Sequence, residues 1–125
     1  MALLTFKKEE KLREKNDFNQ IVSRGNILHY GLFKIYILTS KNQLVPAKVA
    51  FSIPKRYIKL AVKRNLLKRR LSEIYRIYKN EFYKQLTNKN MQIKLLIIYA
   101  NTDVKSYNEL EKQLIKSLKK MLNKI

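Results

Sequence analysis

Residues 58–79 read IKLAVKRNLLKRRLSEIYRIYK, and the phasing of this stretch decides the fold. At about 100° per residue, Leu60, Leu67, Leu71, Ile74 and Tyr78 fall along one side of a helix. Ala61, Asn65, Lys68, Arg69, Ser72 and Arg76 fall on the other side, with Arg64 at the border. A long helix is therefore predicted, with one face in a core and a basic face in solvent. Strand-like sequence flanks it on both sides. Residues 47–53 alternate Val49, Phe51 and Ile53 with Lys48, Ala50 and Ser52, and they stop at Pro54, which lacks a donor for a ladder. Met91–Ala100 becomes apolar on both faces from Leu95, as a buried inner strand does. Strand, long helix and strand in succession make a βαβ unit inside a mixed sheet.

Upstream, residues 27–40 read as strand broken near Gly31. Phe33, Ile35 and Ile37 lie on one face, Lys34 and Tyr36 on the other, and a polar turn follows at Lys41–Gln43. One side of the sheet is thus expected to be core, and the other open, basic and aromatic. Before it, Asn16 or Asp17 is placed to cap a short helix carrying Phe18, Ile21 and Val22 on one side, with Gly25 ending it. Residues 1–11 are expected to form an irregular arm. Downstream, Ser106 and Glu109 have capping-box spacing for a last helix with the stripe Tyr107, Leu110, Leu114, Leu118 and Met121. The expected architecture is one α+β domain over residues 1–125, in the order α-β-β-β-α-β-α.

Charge narrows the function. The 125 residues carry 28 Lys plus Arg against 9 Asp plus Glu, a formal net charge of +19. Self-repulsion on that scale is relieved when a polyanion binds, and nucleic acid is the usual one. With no cysteine, a disulfide framework, a thiolate nucleophile and a Cys-rich zinc site are all excluded. The sequence has no apolar run of membrane-spanning or signal-peptide length, so a cytoplasmic protein is expected. Its carboxylates are scattered and His29 is the only histidine, which leaves no His pair or acidic cluster for unaided RNA cleavage. Glu9 and Glu10 are adjacent, and in extended chain would point apart. No phosphate-cradling glycine loop is present. No catalytic residue and no protein-held metal are expected.

The densest basic run is Lys63-Arg64-Asn65-Leu66-Leu67-Lys68-Arg69-Arg70. Cations at this density neutralise phosphates, and the helical phase puts Asn65, Lys68 and Arg69 on one ridge. Asn65 lowers helix propensity slightly, which suits a hydrogen-bonding role. This run resembles the hallmark helix of the bacterial ribonuclease P protein family, roughly Arg-Asn-Arg-x-Lys-Arg-x-x-Arg. Arg64-Asn65 and Lys68-Arg69 match it, and Glu73 and Arg76 continue it. Ser52-Ile53-Pro54-Lys55-Arg56 is similar to the family's strand-end segment. Phe6-Lys7-Lys8, Leu12, Asp17-Phe18, Val22 and Gly25 follow its opening pattern, and Phe33 and Tyr36 fit its second strand. Leu66 and Ser72 depart from it, standing where basic residues are usual, and Val22 stands where an aromatic is frequent. Lys63, Arg70 and Arg76 are candidates to compensate.

The resemblance implies a left-handed βαβ crossover, as also occurs in a ribosomal protein domain, and a division of labour. The RNA subunit, with its Mg2+, would cut the 5′ leader from precursor tRNA, while the protein binds the leader and supports the RNA. Lys63, Arg64, Asn65, Lys68, Arg69 and Arg76 would face the catalytic RNA. Phe18, Lys34, Tyr36, Lys48, Ser52, Lys55 and Arg56 would line a cleft between the first helix and the open sheet face, with Lys34 and Lys48 meeting phosphates. Phe18 has a second reading as a core residue anchoring its helix. The expected partners are ribonuclease P RNA and precursor tRNA, with no membrane and a monomeric free chain, one per RNA. A ribosomal-type RNA-binding protein, a self-sufficient nuclease and a membrane-surface protein are the rival classes.

Overall fold

Phe33, Ile35 and Ile37 are buried while Lys34, Tyr36 and Leu38 between them are only half-covered. That alternation fixes the facing of the whole sheet. A computed structural model describes residues 8–125. Its elements are α1 (Lys15–Arg24), β1 (Asn26–Tyr30), β2 (Phe33–Ser40), β3 (Ala47–Ser52), α2 (Ala61–Asn88), β4 (Gln92–Tyr99) and α3 (Tyr107–Lys124), the expected order. The sheet runs β1-β2-β4-β3. β1 and β2 form an antiparallel hairpin, β2 pairs antiparallel with β4, and β3 pairs in parallel with β4 across the α2 crossover. The break at Gly31 is the hairpin turn: its φ of 51° is left-handed, and an added Cβ would collide with the Gln113 side chain.

β4 was expected as an inner strand, and it lies between β2 and β3, with Ile93, Leu95, Ile97 and Tyr99 buried on the α2–α3 side. From α2 come Leu67, Leu71, Ile74, Tyr75, Phe82 and Leu86, and from α3 Leu110, Leu114, Leu118, Met121 and Leu122. Ser106 Oγ accepts from the Glu109 amide at 3.2 Å, which starts α3 as its spacing predicts. A smaller cluster on the opposite face joins Leu12, Ile21 and Leu96, with Phe18, Tyr36, Leu38, Ala50 and Ile98 packed against it. α1 lies on this second face. Lys94 Nζ and Asp17 Oδ1, 2.8 Å apart and largely shielded, tie the helix to β4.

Several local expectations need correction. α2 runs to Asn88, nine residues past Lys79, because Lys79, Phe82 and Leu86 continue its buried face. Leu60 is not on that face; it sits at the N-cap and is 60% exposed, while Tyr75 is fully enclosed in its place. α1 starts at Lys15 after Glu14, with no side-chain cap, and Asp17 lies in its first turn rather than before it. Val22 points to solvent. Gly25 does end α1, but at φ −72°, so left-handed freedom is not the reason; an added Cβ would lie 2.5 Å from the Ile21 carbonyl oxygen.

Of the expected N-terminal arm, residues 1–7 lie outside the described residues, and with them Phe6 and Lys7. Lys8–Glu10 form a 3-10 turn. Lys11 then bridges to Val49 in parallel, and the Leu12 amide donates to the Val49 carbonyl at 3.0 Å. This segment covers part of the free edge of β3. Glu10 is turned inward: Lys79 Nζ lies 2.6 Å from its Oε1, and the Tyr83 hydroxyl donates to Oε2 at 2.5 Å. Both charged side chains are almost wholly buried, and the Tyr75 hydroxyl extends the chain to Tyr83 at 3.4 Å. Burial pushes the Tyr75 and Tyr83 hydroxyls far above the ordinary tyrosine value.

Candidate nucleic-acid interface

Strand register arranges the α1-side face of the sheet in rows. Ser52, Ile98 and Lys34 align across β3, β4 and β2, as do Ala50, Leu96 and Tyr36, and then Lys48, Lys94 and Leu38. Neighbouring strands are about 4.8 Å apart, so each row spans roughly 10 Å. α1 covers the β2 and β4 part of these rows. The β3 part stays open as a cleft of about 790 Å³. Phe18 closes it from α1, Ala50, Ser52 and Leu96 form its floor, Lys11 and Arg13 its rim, and Lys68 and Ser72 its α2 wall. A half-buried ring over an apolar floor, ringed by cations, can stack a base and meet the phosphates on either side of it.

The residues expected in this cleft do not all converge on it. Phe18 and Ser52 line it, and Phe18 also packs on the Leu12–Ile21–Leu96 cluster, so its two readings hold together. Tyr36 shares the face but packs under α1 against that cluster, outside the lining. It is half-covered, with Lys34 Nζ 5.3 Å from its ring centre. Lys48 faces a separate depression shared with Glu9, Lys11, Arg13, Glu14 and Asp17. Lys55 and Arg56 are exposed in the turn after β3, and Arg56 lies 5.0 Å above the Tyr57 ring.

The basic ridge divides too. Lys63, Asn65, Lys68 and Arg69 are exposed on α2. Arg64 Nη1 folds back to donate to the carbonyls of Ile58 and Lys59 at 3.0 and 2.7 Å, so it also closes the start of the helix. Arg76 is bidentate to Glu73, at 3.0 and 2.6 Å, and that guanidinium lowers the Glu73 carboxyl below its ordinary range. Of the positions that depart from the family pattern, Leu66 is half-buried and Ser72 lines the cleft. Arg70 donates to the Lys105 carbonyl at 3.0 Å and so holds the β4–α3 loop.

Lys11 and Arg13 were not singled out in the sequence. The available signal was a period of two: buried Leu12 stands between two exposed cations, as in an edge strand. Glu10 is committed to Lys79 and Tyr83, which takes it out of reach of any role shared with Glu9. Among the described residues no three His, Asp or Glu side chains are placed to share one metal ion. His29 is exposed on β1. Among the described residues, no helix is long and apolar enough to cross a membrane.

A family model described as Ribonuclease P matches residues 6–124. The ribonuclease P protein component of Finegoldia magna is 32% identical over 117 residues, covering 94% of this chain and 95% of the relative. That of Dictyoglomus thermophilum is 35% identical over 79 residues, 63% of each chain. The fold is shared with the Staphylococcus aureus RNase P protein, with a TM-score of 0.73 at 18% identity over 90% of this chain and 94% of that one. It is shared also with the Thermotoga maritima RNase P protein, with a TM-score of 0.66 at 21% identity over 89% and 96%.

Proposed function

The chain belongs to the ribonuclease P protein family, and we propose that its cleft holds the single-stranded 5′ leader of precursor tRNA while its α2 ridge faces the catalytic RNA. It acts in tRNA processing as the protein component of a ribonucleoprotein endonuclease, with ribonuclease P RNA as its partner. The observation that carries the leader assignment is the meeting of Phe18, the Ala50–Leu96 floor and the cations Lys11, Arg13 and Lys68 in one cleft. Stacking on a ring is worth roughly 1–3 kcal/mol per base and tolerates any base, as a leader of variable sequence requires. Lys68 lies at the boundary: it walls the cleft and belongs to the ridge, so leader and catalytic RNA would meet there.

In this division of labour the chain binds and orients, and the metal-dependent activation of water for hydrolysis would come from the RNA with its Mg2+. Lys63, Asn65, Lys68 and Arg69 contact RNA phosphates directly; Arg64 and Arg76 do so with part of their donor capacity already committed. Lys34, Lys48, Lys55 and Arg56 extend the leader path beyond the cleft, and Tyr36 supports Lys34 from under α1. The free chain is a cytoplasmic monomer that joins the RNA one to one.

Mixing the chain with ribonuclease P RNA and precursor tRNA at low Mg2+ tests this. Leader removal should become faster or require less substrate with both components, and the chain alone should cut nothing. Cleavage without the RNA would refute the division of labour, and no effect on the ribozyme would favour a ribosomal-type role.

A further inference from the structure

The apolar stripe of α3 is entirely consumed by the core, with Leu110, Leu114, Leu118, Met121 and Leu122 buried. Its outer side carries Lys112, Lys116, Lys119 and Lys120, all exposed, around a shallow groove with Ile115 half-buried among them. Lys112 and Lys116, and again Lys116 and Lys120, are spaced i,i+4, and Lys116 and Lys119 are i,i+3; like charges at these spacings oppose helix formation. Among the described residues no salt bridge engages them, and Glu111 is the one carboxylate lining their groove. The salt bridges among the described residues join Arg76 to Glu73, Lys79 to Glu10, Lys94 to Asp17 and Lys105 to Asp103, none of them on α3. A four-residue step advances about 6 Å along a helix, so these lysines form a straight cationic ladder roughly 12 Å long. They are point charges rather than planar forks, suited to a backbone rather than to base edges.

Building on the ribonuclease P role proposed above, we infer that the α3 lysine ladder is a second RNA-backbone surface, occupied by ribonuclease P RNA. Two observations select that source. α3 packs on the sheet face opposite α1, away from the cleft assigned to the leader. It also begins beside α2, where Arg70, next in sequence to the ridge residue Arg69, donates to the Lys105 carbonyl just before the helix. RNA that runs along α2 can therefore continue onto α3. A membrane is disfavoured as occupant, because Ile115 alone among the lysines is no insertion face.

The test compares the unsubstituted chain, the Lys68→Ala/Arg69→Ala variant and the Lys112→Gln/Lys116→Gln/Lys119→Gln/Lys120→Gln variant for binding to ribonuclease P RNA over a salt series. Gln has nearly the helix propensity of Lys, so α3 is kept. The α3 variant should lose at least about tenfold in affinity at low salt, and its log K against log salt slope should flatten by about 2 to 3 units. Its preference for leader-bearing over leaderless precursor should not change. In the unsubstituted chain, the same lysines should become less reactive to an amine-acylating reagent when the RNA binds, a readout independent of any variant. An unchanged slope and unchanged lysine reactivity, with the Lys68/Arg69 variant flattened, would overturn the α3 assignment alone. Failure of the unsubstituted chain to bind the RNA would overturn both assignments. Loss of binding to phosphatidylserine vesicles, with RNA binding intact, would reassign the ladder to a membrane.

Discussion

The two faces of the sheet are packed very differently. On the α2–α3 side, Tyr75, Tyr99, Phe33 and Phe82 are fully enclosed. Tyr75 alone makes edge-on ring contacts with Phe51, Phe82 and Tyr83 at 5.9, 6.2 and 6.5 Å. On the α1 side, among the described residues, the buried cluster is Leu12, Ile21 and Leu96, and Phe18, Tyr36, Leu38 and Ala50 around them are half-covered. The chain completes the first face by itself. The second face, among the described residues, is apolar in the middle and cationic at the edge, which suits the leader-binding role proposed for it. Packing is thus densest on the α2–α3 side, and the cleft proposed for the leader lies on the other side of the four-stranded sheet.

Substitutions on the two sides should separate these roles. The largest effect is expected for Tyr75→Ala, which empties the centre of the ring cluster: a loss of about 4 kcal/mol, seen as a drop in Tm of more than about 10 °C. Lys79→Met should cost about 3 kcal/mol in denaturant unfolding, because it strands the Glu10 carboxylate in the interior. Glu10→Leu combined with Lys79→Met should recover most of that loss; if it does not, the pair holds the N-terminal segment in a way apolar packing cannot. On the other face, Phe18→Ala should cost only about 1 kcal/mol of stability yet weaken binding of leader-bearing precursor about tenfold. Equal weakening for leaderless tRNA would take the leader out of the cleft. The smallest effect belongs to Glu73→Gln. Arg76 holds that carboxyl below its ordinary 4.5, so any contribution is present above that value and disappears as pH falls through the lowered one. The pair is exposed, and no resolvable change in Tm at pH 7 is expected.

Elements whose evidence is local could be read from the sequence. Alternation placed Phe33, Ile35 and Ile37 inward, the Ser106–Glu109 spacing gave the start of α3, and the doubly apolar run after Leu95 announced a central strand. What escaped depends on partners distant in sequence. Lys79 interrupts the apolar phase of α2, and a lysine on a buried face is explained only by Glu10, 69 positions earlier. The apolar phase therefore breaks there, although Phe82 and Leu86 carry the helix on. Val22 and Leu60 have core-like side chains but lie where no second layer covers them. In the site, helical phase found the exposed Asn65, Lys68 and Arg69. It could not show that Arg64 and Arg76 also serve the chain's own carbonyls and carboxylate. Nor could it show that Tyr36 lies under α1 while Lys11 and Arg13 reach the cleft rim.

The placement of β4 has a consequence for synthesis. β3 has no neighbour among the other strands except β4, so a nascent chain that has emerged only through α2 holds one hairpin and one orphan strand. Joining them requires a strand to slot into the middle of the sheet after the long helix has already been made. Such late, non-local closure predicts slow folding and a window in which Val49 and Phe51 are exposed to other nascent chains.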